Sequence, residues 1–384
     1  MDQASNQDNQ RLLSLLKSLQ KASKDLQKPP FFSTHEPQST IEHFLELEKD
    51  ESPVFDNHPN LFKLSQLLCN LKTQLEKLQK FQGYSLPCIL RRQIIKYKIY
   101  QLGYAIETEI QAYFDRESVQ NLVGKLEGSA DEDEKVKVLV EFEKRLSQGF
   151  DIHFQDLILK AKIFSILEHL LCDSSCSIRI RDQVALVIAS LVRFNKDVFV
   201  GLVLMGPTVG ALISMSSCCS IRVLSLLINF IRIPLVDELE AHKEIPRIIS
   251  LLSSENVEIQ AGAIDCILGI AYYGRREAIE AMLEAGLVEK LVKLQRLEKQ
   301  SSVDENGSKS DRESGSNEEG GYVGNCPFEG CVARFAVQLE SGEMLSKKEK
   351  TEFKLEILRR VRESSVSEAE MASIVAEVLW GSSP

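Results

Sequence analysis

Tryptophan is nearly missing. There is one in 384 residues, and aromatics together make up 7%. That is too little for an aromatic-rich β-sandwich core and suits stacked helices instead. Histidine is scarce as well. Of the six, His35, His43 and His58 fall in a loop-rich beginning, while His153, His169 and His242 lie in helical text, His169 on an apolar face. A serine or cysteine nucleophile needs a base beside it, and no such pairing stands out. Phosphate-binding loops are missing too: "GPTVG" and "EEGGYVGN" have neither the preceding strand nor the Lys-Ser/Thr that such loops use. Positive charge is not in surplus, since the formal net charge is −10; a chain that tracks a phosphate backbone needs clustered Lys and Arg. The expectation is therefore no catalytic residues, no cofactor and no nucleic-acid partner.

Two further absences bear on compartment. The start, MDQASNQDNQR, has no apolar signal-peptide core. The nine cysteines are odd in number and scattered through apolar helical text, which suggests reduced thiols and an intracellular, cytoplasmic or nuclear, setting. From Val198 to Ile221 there is no charged side chain, a length that could cross a bilayer. But Gly206 and Pro207 interrupt it, and Thr208, Ser214, Ser216, Ser217 and Ser220 dilute it. A buried helix–turn–helix is expected, with no transmembrane segment.

What is present is helix. Residues 1–60 read as a mixed segment with short helices, Arg11 to Leu26 and one around Ile41–Leu47, the first stopped by Pro29-Pro30. Residues 61–150 read as a helical bundle. Leu61, Leu64, Leu68, Leu71, Leu75 and Leu78 form one stripe; Ile95, Ile99, Leu102, Ile106 and Ile110 form another on a helix from Cys88 to about Phe114. Separate helices fit Ser118–Leu126 and Asp133–Leu146.

The middle of the chain repeats itself. Ser175-Cys176-Ser177-Ile178-Arg179 returns 43 positions on as Cys218-Cys219-Ser220-Ile221-Arg222, and Asn256-Val257-Glu258-Ile259 falls 36 positions after Ser220-Ile221-Arg222-Val223. These offsets equate Ile180, Val223 and Ile259, and make Cys176 equivalent to Cys219. The preceding helices agree as well: Val209, Leu212 and Ile213 match Ile245, Ile248 and Ile249, then Val288, Leu291 and Val292. An apolar set repeated at about 40 residues means stacked helical units whose neighbours complete each other's core.

The segment Glu255 to Gln295, "ENVEIQAGAIDCILGIAYYGRREAIEAMLEAGLVEKLVKLQ", resembles an armadillo repeat, and the resemblance runs from about His153 to Leu297. Residues 61–150 are more loosely similar to the helical region of plant armadillo proteins that also carry a U-box, and the ending from Cys326 resembles the tail of plant armadillo-only relatives. The resemblance implies an all-α fold, an armadillo-type right-handed superhelix (α-solenoid) with an N-terminal helical bundle. It also implies a non-enzymatic interaction scaffold. No Cys-Pro-Ile-type U-box segment is found, so ligase activity is not carried over.

Residues 298–325, charged and rich in Ser and Gly, read as a disordered acidic linker, and 326–384 as a helical capping unit of three helices. In "NCPFEGC" the pair Cys326 and Cys331 lacks any later Cys or His to complete a zinc tetrahedron. The segment reads instead as a helix start: Asn325 or Cys326 at the cap, Pro327 in the first turn, Phe328 in the core. Ser367 and Glu370 suggest a capping box on the last helix.

In an armadillo superhelix the third helix of each unit is expected to line a groove. The register places Ala211, Arg247 and Lys290 in one column there and Ser214, Ser250 and Lys293 in another. Such a groove turns basic toward its C-terminal end and would bind a protein partner through an acidic or phosphorylated segment. The alternatives are an accessory, non-catalytic component of a ubiquitin-ligase pathway and a membrane-surface tether.

Overall fold

The spacing of leucine and isoleucine builds the first of two units, Met1–Asn121 with Asp151–Ala161. The computed structural model describes residues 2–26, 61–80, 85–128, 131–307 and 327–380, and the backbone alone at 2–11, 25–26 and 301–307. Helices α1 (Asp2–Leu26), α2 (Phe62–Lys80) and α3 (Leu86–Glu127) share one core. Leu12, Leu16 and Leu19, then Leu64, Leu68, Leu71 and Leu75, then Ile95, Ile99, Ile106 and Ile110 are buried in it, with Leu78 and Leu102 packed at its edge. Gln20 bonds Gln111 across the core margin at 3.1 Å, and Gln111 donates onward to the buried Asp115 at 2.9 Å.

Three expectations change here. Helix α1 begins at Asp2 rather than Arg11. The break expected between Phe114 and Ser118 does not exist, because α3 runs unbroken for 42 residues. The polar run Asp115-Arg116-Glu117 contains neither Gly nor Pro, and polarity alone does not stop a helix. Residues 61–150 are also not one bundle: the chain from Leu122 to Phe150, including α4 (Glu132–Leu146), belongs to the second unit, while α5 (Ile152–Lys160) belongs to the first. The helix expected near Ile41–Leu47 lies outside the described residues.

The second unit, Leu122–Phe150 with Lys162–Pro384, is an α-solenoid of stacked three-helix repeats. Its helices are α4, α6 (Ile163–Cys172), α7 (Ile178–Phe194), α8 (Lys196–Met205), α9 (Thr208–Met215), α10 (Cys218–Ile231), α11 (Ile233–Ala241), α12 (Ile245–Ser250), α13 (Val257–Tyr273), α14 (Arg276–Glu284), α15 (Leu287–Gly307), α16 (Cys331–Ser341), α17 (Lys347–Ser364) and α18 (Glu368–Trp380). Among the described residues there is no strand. Three-helix units repeat: α8–α9–α10, α11–α12–α13, and α14–α15–α16. The last helix of each packs on the last helix of the next, so α4, α7, α10, α13 and α16 form a continuous ladder.

The ladder corrects the sequence register. Its helices are capped by Ser177, Ser217 and Asn256, whose side chains accept backbone N–H groups. The caps are 40 and 39 residues apart, not 43 and 36. The partner of Ile180 and Ile259 is thus the buried Ser220, not Val223, and Cys176 is no counterpart of Cys219. A shift of three is nearly one helical turn, so apolar positions overlay in either register. The three residues are visible: a 3-10 turn, Leu251–Ser253, lies between α12 and α13. In the other layer, Val209, Leu212 and Ile213 of α9, with their expected matches in α12 and α15, are all buried.

The expected three-helix cap is divided differently. Helix α16 completes the unit begun by α14 and α15, and α17 and α18 then cover α15 and α16. The array therefore continues past residue 297. Helix α15 runs on to Gly307, where a linker was expected; 308–325 and Cys326 lie outside the described residues. Pro327 is not in the first turn of the helix. Pro327–Gly330 make a turn, and Gly330, at φ 56°, caps α16 in the left-handed region that glycine tolerates. Phe328 is buried, as expected. The Ser367–Glu370 box is half formed: Ser367 Oγ accepts from Glu370 N at 3.2 Å, but the Glu370 carboxylate goes to Val366 N and Arg296. A complete box stands instead at Ser346 and Glu349.

The uncharged stretch folds as α8 and α9, bent by 70° at Gly206–Pro207, with Phe199, Val203, Val209, Leu212 and Ile213 buried. Among the described residues no single helix is long and apolar enough to cross a membrane.

Candidate functional site

Close approach shapes the ladder. Helix α13 carries glycine at 262 and 269, seven residues apart, and α10 carries isoleucine at 221 and 228. A Cβ on Gly269 would sit 2.8 Å from Ile228 Cγ2, and one on Gly262 3.1 Å from Ile221 Cγ2. Between them the buried Cys266 donates its S–H to Ile221 O at 3.6 Å. Polar ties cross between units as well: Ser217 Oγ to Asp182 Oδ1 at 2.6 Å, and Gln183 Nε2 to Glu143 Oε2 at 2.7 Å.

On the solvent side of this ladder lies a depression of about 410 Å³, crossing three successive helices. Ser225 and Asn229 come from α10, Asp265, Leu268, Tyr272 and Tyr273 from α13, and Gln338 from α16. Asn229 Nδ2 donates to Ser225 O at 3.0 Å. The rings of Tyr272 and Tyr273 meet edge to face at 4.8 Å, and Arg232 lies 5.9 Å over the Tyr273 ring. Desolvation between the helices holds the Asp265 carboxyl above the usual aspartate range, against the opposing pull of Arg334. The surface thus joins two amides, a carboxyl, three hydroxyls and two aromatic rings.

The six residues expected to face a partner lie in the other layer. Ala211 and Ser214 on α9 and Arg247 on α12 come together around a second depression, of about 580 Å³, with Arg181, Glu238 and Glu244. Arg247 Nη1 donates to both oxygens of Glu244, at 2.9 and 2.7 Å, and Nη2 donates to Ser214 Oγ at 2.9 Å. Its charge is therefore matched within one turn of its own helix. Ser250 is exposed and donates to Arg247 O at 2.6 Å. Lys290 Nζ donates to Ile249 O at 3.3 Å, and Lys293 is exposed; neither lines the two depressions. The ladder depression was not anticipated, although Glu244, three residues before Arg247, was a readable sign that Arg247 would be paired.

Cys266 and Cys331 are placed as structural thiols. Cys331 is fully buried and donates to Leu291 O at 3.4 Å. Burial raises its pKa to about 12 and pushes Cys266 higher still, so both stay protonated, whereas metal ligation uses the thiolate. Desolvation likewise raises Cys219 to about 11. Among the described residues no three His, Cys, Asp or Glu side chains are grouped to hold a metal ion. His169, expected on an apolar face, is exposed, and His242 Nδ1 sits 3.1 Å from Glu238 Oε1.

No protein-family model and no curated protein matches the sequence. Solved structures that match include designed armadillo repeat proteins. One, YIII(Dq)4CqI, is 17% identical with a TM-score of 0.44, over 68% of this chain and 99% of that one. Another, YIII(Dq.V1)4CPAF in complex with the peptide (KR)4, is 20% identical with a TM-score of 0.43, over 68% and 98%. A third, computationally designed for modular peptide recognition, is 18% identical with a TM-score of 0.42, over 68% and 98%.

Proposed function

We propose that this chain is a non-enzymatic scaffold that binds an extended segment of a partner protein along the ladder face of its solenoid. The supporting observation is the depression over α10, α13 and α16, where Asn229, Asp265, Tyr272 and Gln338 line one continuous surface. Amide side chains at intervals along stacked helices pair with a partner's backbone, and the tyrosine rings offer contact area at low entropic cost. Photo-crosslinking tests the reading. A crosslinker at Asn229 or Gln338 should capture a partner that one at an exposed position elsewhere on the solenoid, such as Glu277, does not. Equal capture from both would overturn it.

A second surface is favoured by one observation: Ala211, Ser214 and Arg247 share a depression with Arg181. On this reading an acidic or phosphorylated segment lies over α9 and α12, with Ser250, Lys290 and Lys293 extending the contact. Charge reversal at Arg247, Lys290 and Lys293 should then release the partner, whereas the ladder reading expects it to stay bound.

A further inference from the structure

Helix α3 has two apolar faces, and among the described residues only one is packed against other helices. Ile95, Ile99, Ile106 and Ile110 are buried in the first unit's core. On the opposite side, Leu86, Leu90, Ile94, Tyr97, Tyr100 and Tyr104 follow each other at helical steps of three and four. They are open to solvent: Leu86 is 76% exposed, Leu90 61%, Tyr97 60% and Tyr104 64%. At about 1.5 Å per residue the stripe is roughly 27 Å long. Scattered exposed apolar residues are ordinary, but a continuous stripe marks a surface that something covers.

Charge identifies what covers it. At 100° per residue, Lys98 flanks one edge of the stripe, and Arg92 and Lys96 the other. No Asp or Glu occurs from Lys77 through Ile106, although the chain as a whole carries −10. A second copy fits poorly: a two-fold pairing of this helix with itself would set Arg92, Lys96 and Lys98, near its centre, against their own images. Neither depression is lined by the stripe, which stands on the outside of a helix. An apolar strip with tyrosines and cations along both edges is the pattern of a helix lying in a lipid interface. There the rings sit at headgroup level and the cations meet anionic lipid.

We propose that the Leu86–Tyr104 face of α3 docks the protein on anionic membrane surfaces, independently of the solenoid's partner. The test is co-sedimentation of the full chain with vesicles of phosphatidylcholine alone and with about one third phosphatidylserine. Binding is expected to the anionic vesicles, weakening as salt rises. Leu90→Asp with Tyr97→Asp, and separately Arg92→Glu with Lys98→Glu, should each weaken it by roughly tenfold or more. All four positions are exposed, so circular dichroism and melting should match the parent and show that any loss is not unfolding. The proposal is overturned if the chain stays in the supernatant, if it binds both vesicle types alike, or if the variants bind as the parent does. It is also overturned in favour of a second copy if light scattering without vesicles shows a dimer that Leu90→Asp with Tyr97→Asp abolishes.

Discussion

The two layers of the solenoid come from the same repeats and are held together differently. In the ladder, helices touch directly, at glycine and cysteine against isoleucine, and polar side chains close the seams. In the α9–α12–α15 layer, long side chains reach across: Arg247 to Ser214, and Lys290 to Ile249 O. The first arrangement is intolerant of added volume. The cross-links of the second can be rewritten at little cost, because they lie at or near the surface and are individually weak, while its buried apolar residues cannot. A ladder of this kind fixes spacing between units, while the other layer leaves room for variation in sequence.

That contrast can be broken most forcefully in the ladder core. Phe335 of α16 is fully buried, so Phe335→Ala should cost about 3–5 kcal/mol, read as a fall in the denaturant midpoint. A smaller loss that left α16 docked would mean the ladder is looser than its packing implies. Next, Gly269→Ala pits crowding against helix propensity. The new methyl meets Ile228 Cγ2 at 2.8 Å, and overpacking of about 1–3 kcal/mol should outweigh a helix gain of up to ~1 kcal/mol. Gly201→Ala on α8, with nothing within 4 Å of the new methyl, should instead stabilise by about 0.5–1 kcal/mol. Opposite signs in two melting curves are the required result.

Arg296→Ala removes a bidentate pair with Glu370, at 2.7 and 3.1 Å, and a bond to Ser364 O at 2.9 Å. The pair is partly buried, so a loss of about 1–2 kcal/mol is expected, seen as faster proteolysis after α16. Hydrogen bonding from Arg296 holds the Glu370 carboxyl below the usual glutamate range. Its contribution is complete above the ordinary glutamate pKa and fades as pH falls through the folded value. The variant should lack that part of the acid dependence. Asp265→Asn gives the opposite slope. Its carboxyl is raised by desolvation, so it favours folding at low pH and loses that advantage as pH rises through the folded value. The variant should gain on the parent with increasing pH, and only slightly, because Asp265 is exposed and solvent screens its charge. Arg247→Ala, on the other layer, should move stability by less than about 1 kcal/mol.

Much of the fold was legible because apolar periodicity is local. The stripes of α2 and α3, the bend at Gly206–Pro207 and the columns of α9, α12 and α15 all follow from spacing within a few turns. The register of α10 was not, because a three-residue slip keeps every apolar position on the same face. Only the caps Ser177, Ser217 and Asn256 distinguish the alternatives. The unbroken α3 was missed because a polar stretch resembled a boundary without containing a breaker. The repeat gave Ala211, Ser214 and Arg247 neighbouring register positions but assigned them to the wrong layer, and it did not show the role of Glu244 beside Arg247. The ladder depression was out of reach, since Ser225 and Gln338 are brought together only by the stacking of three units.

Helix α16 is separated in sequence from α15, the helix it completes. What seats it is contact: Cys331 Sγ on Leu291 O, Phe328 N on Glu298 Oε1 at 3.1 Å, and the buried Phe335 and Leu339. The covalent link between α15 and α16 raises the local concentration of these contacts. The protein is in this respect already written as two complementary fragments. Cut between α15 and α16 and mixed, the two fragments should find each other and rebuild the last rung, giving a split version whose halves report on their own reunion.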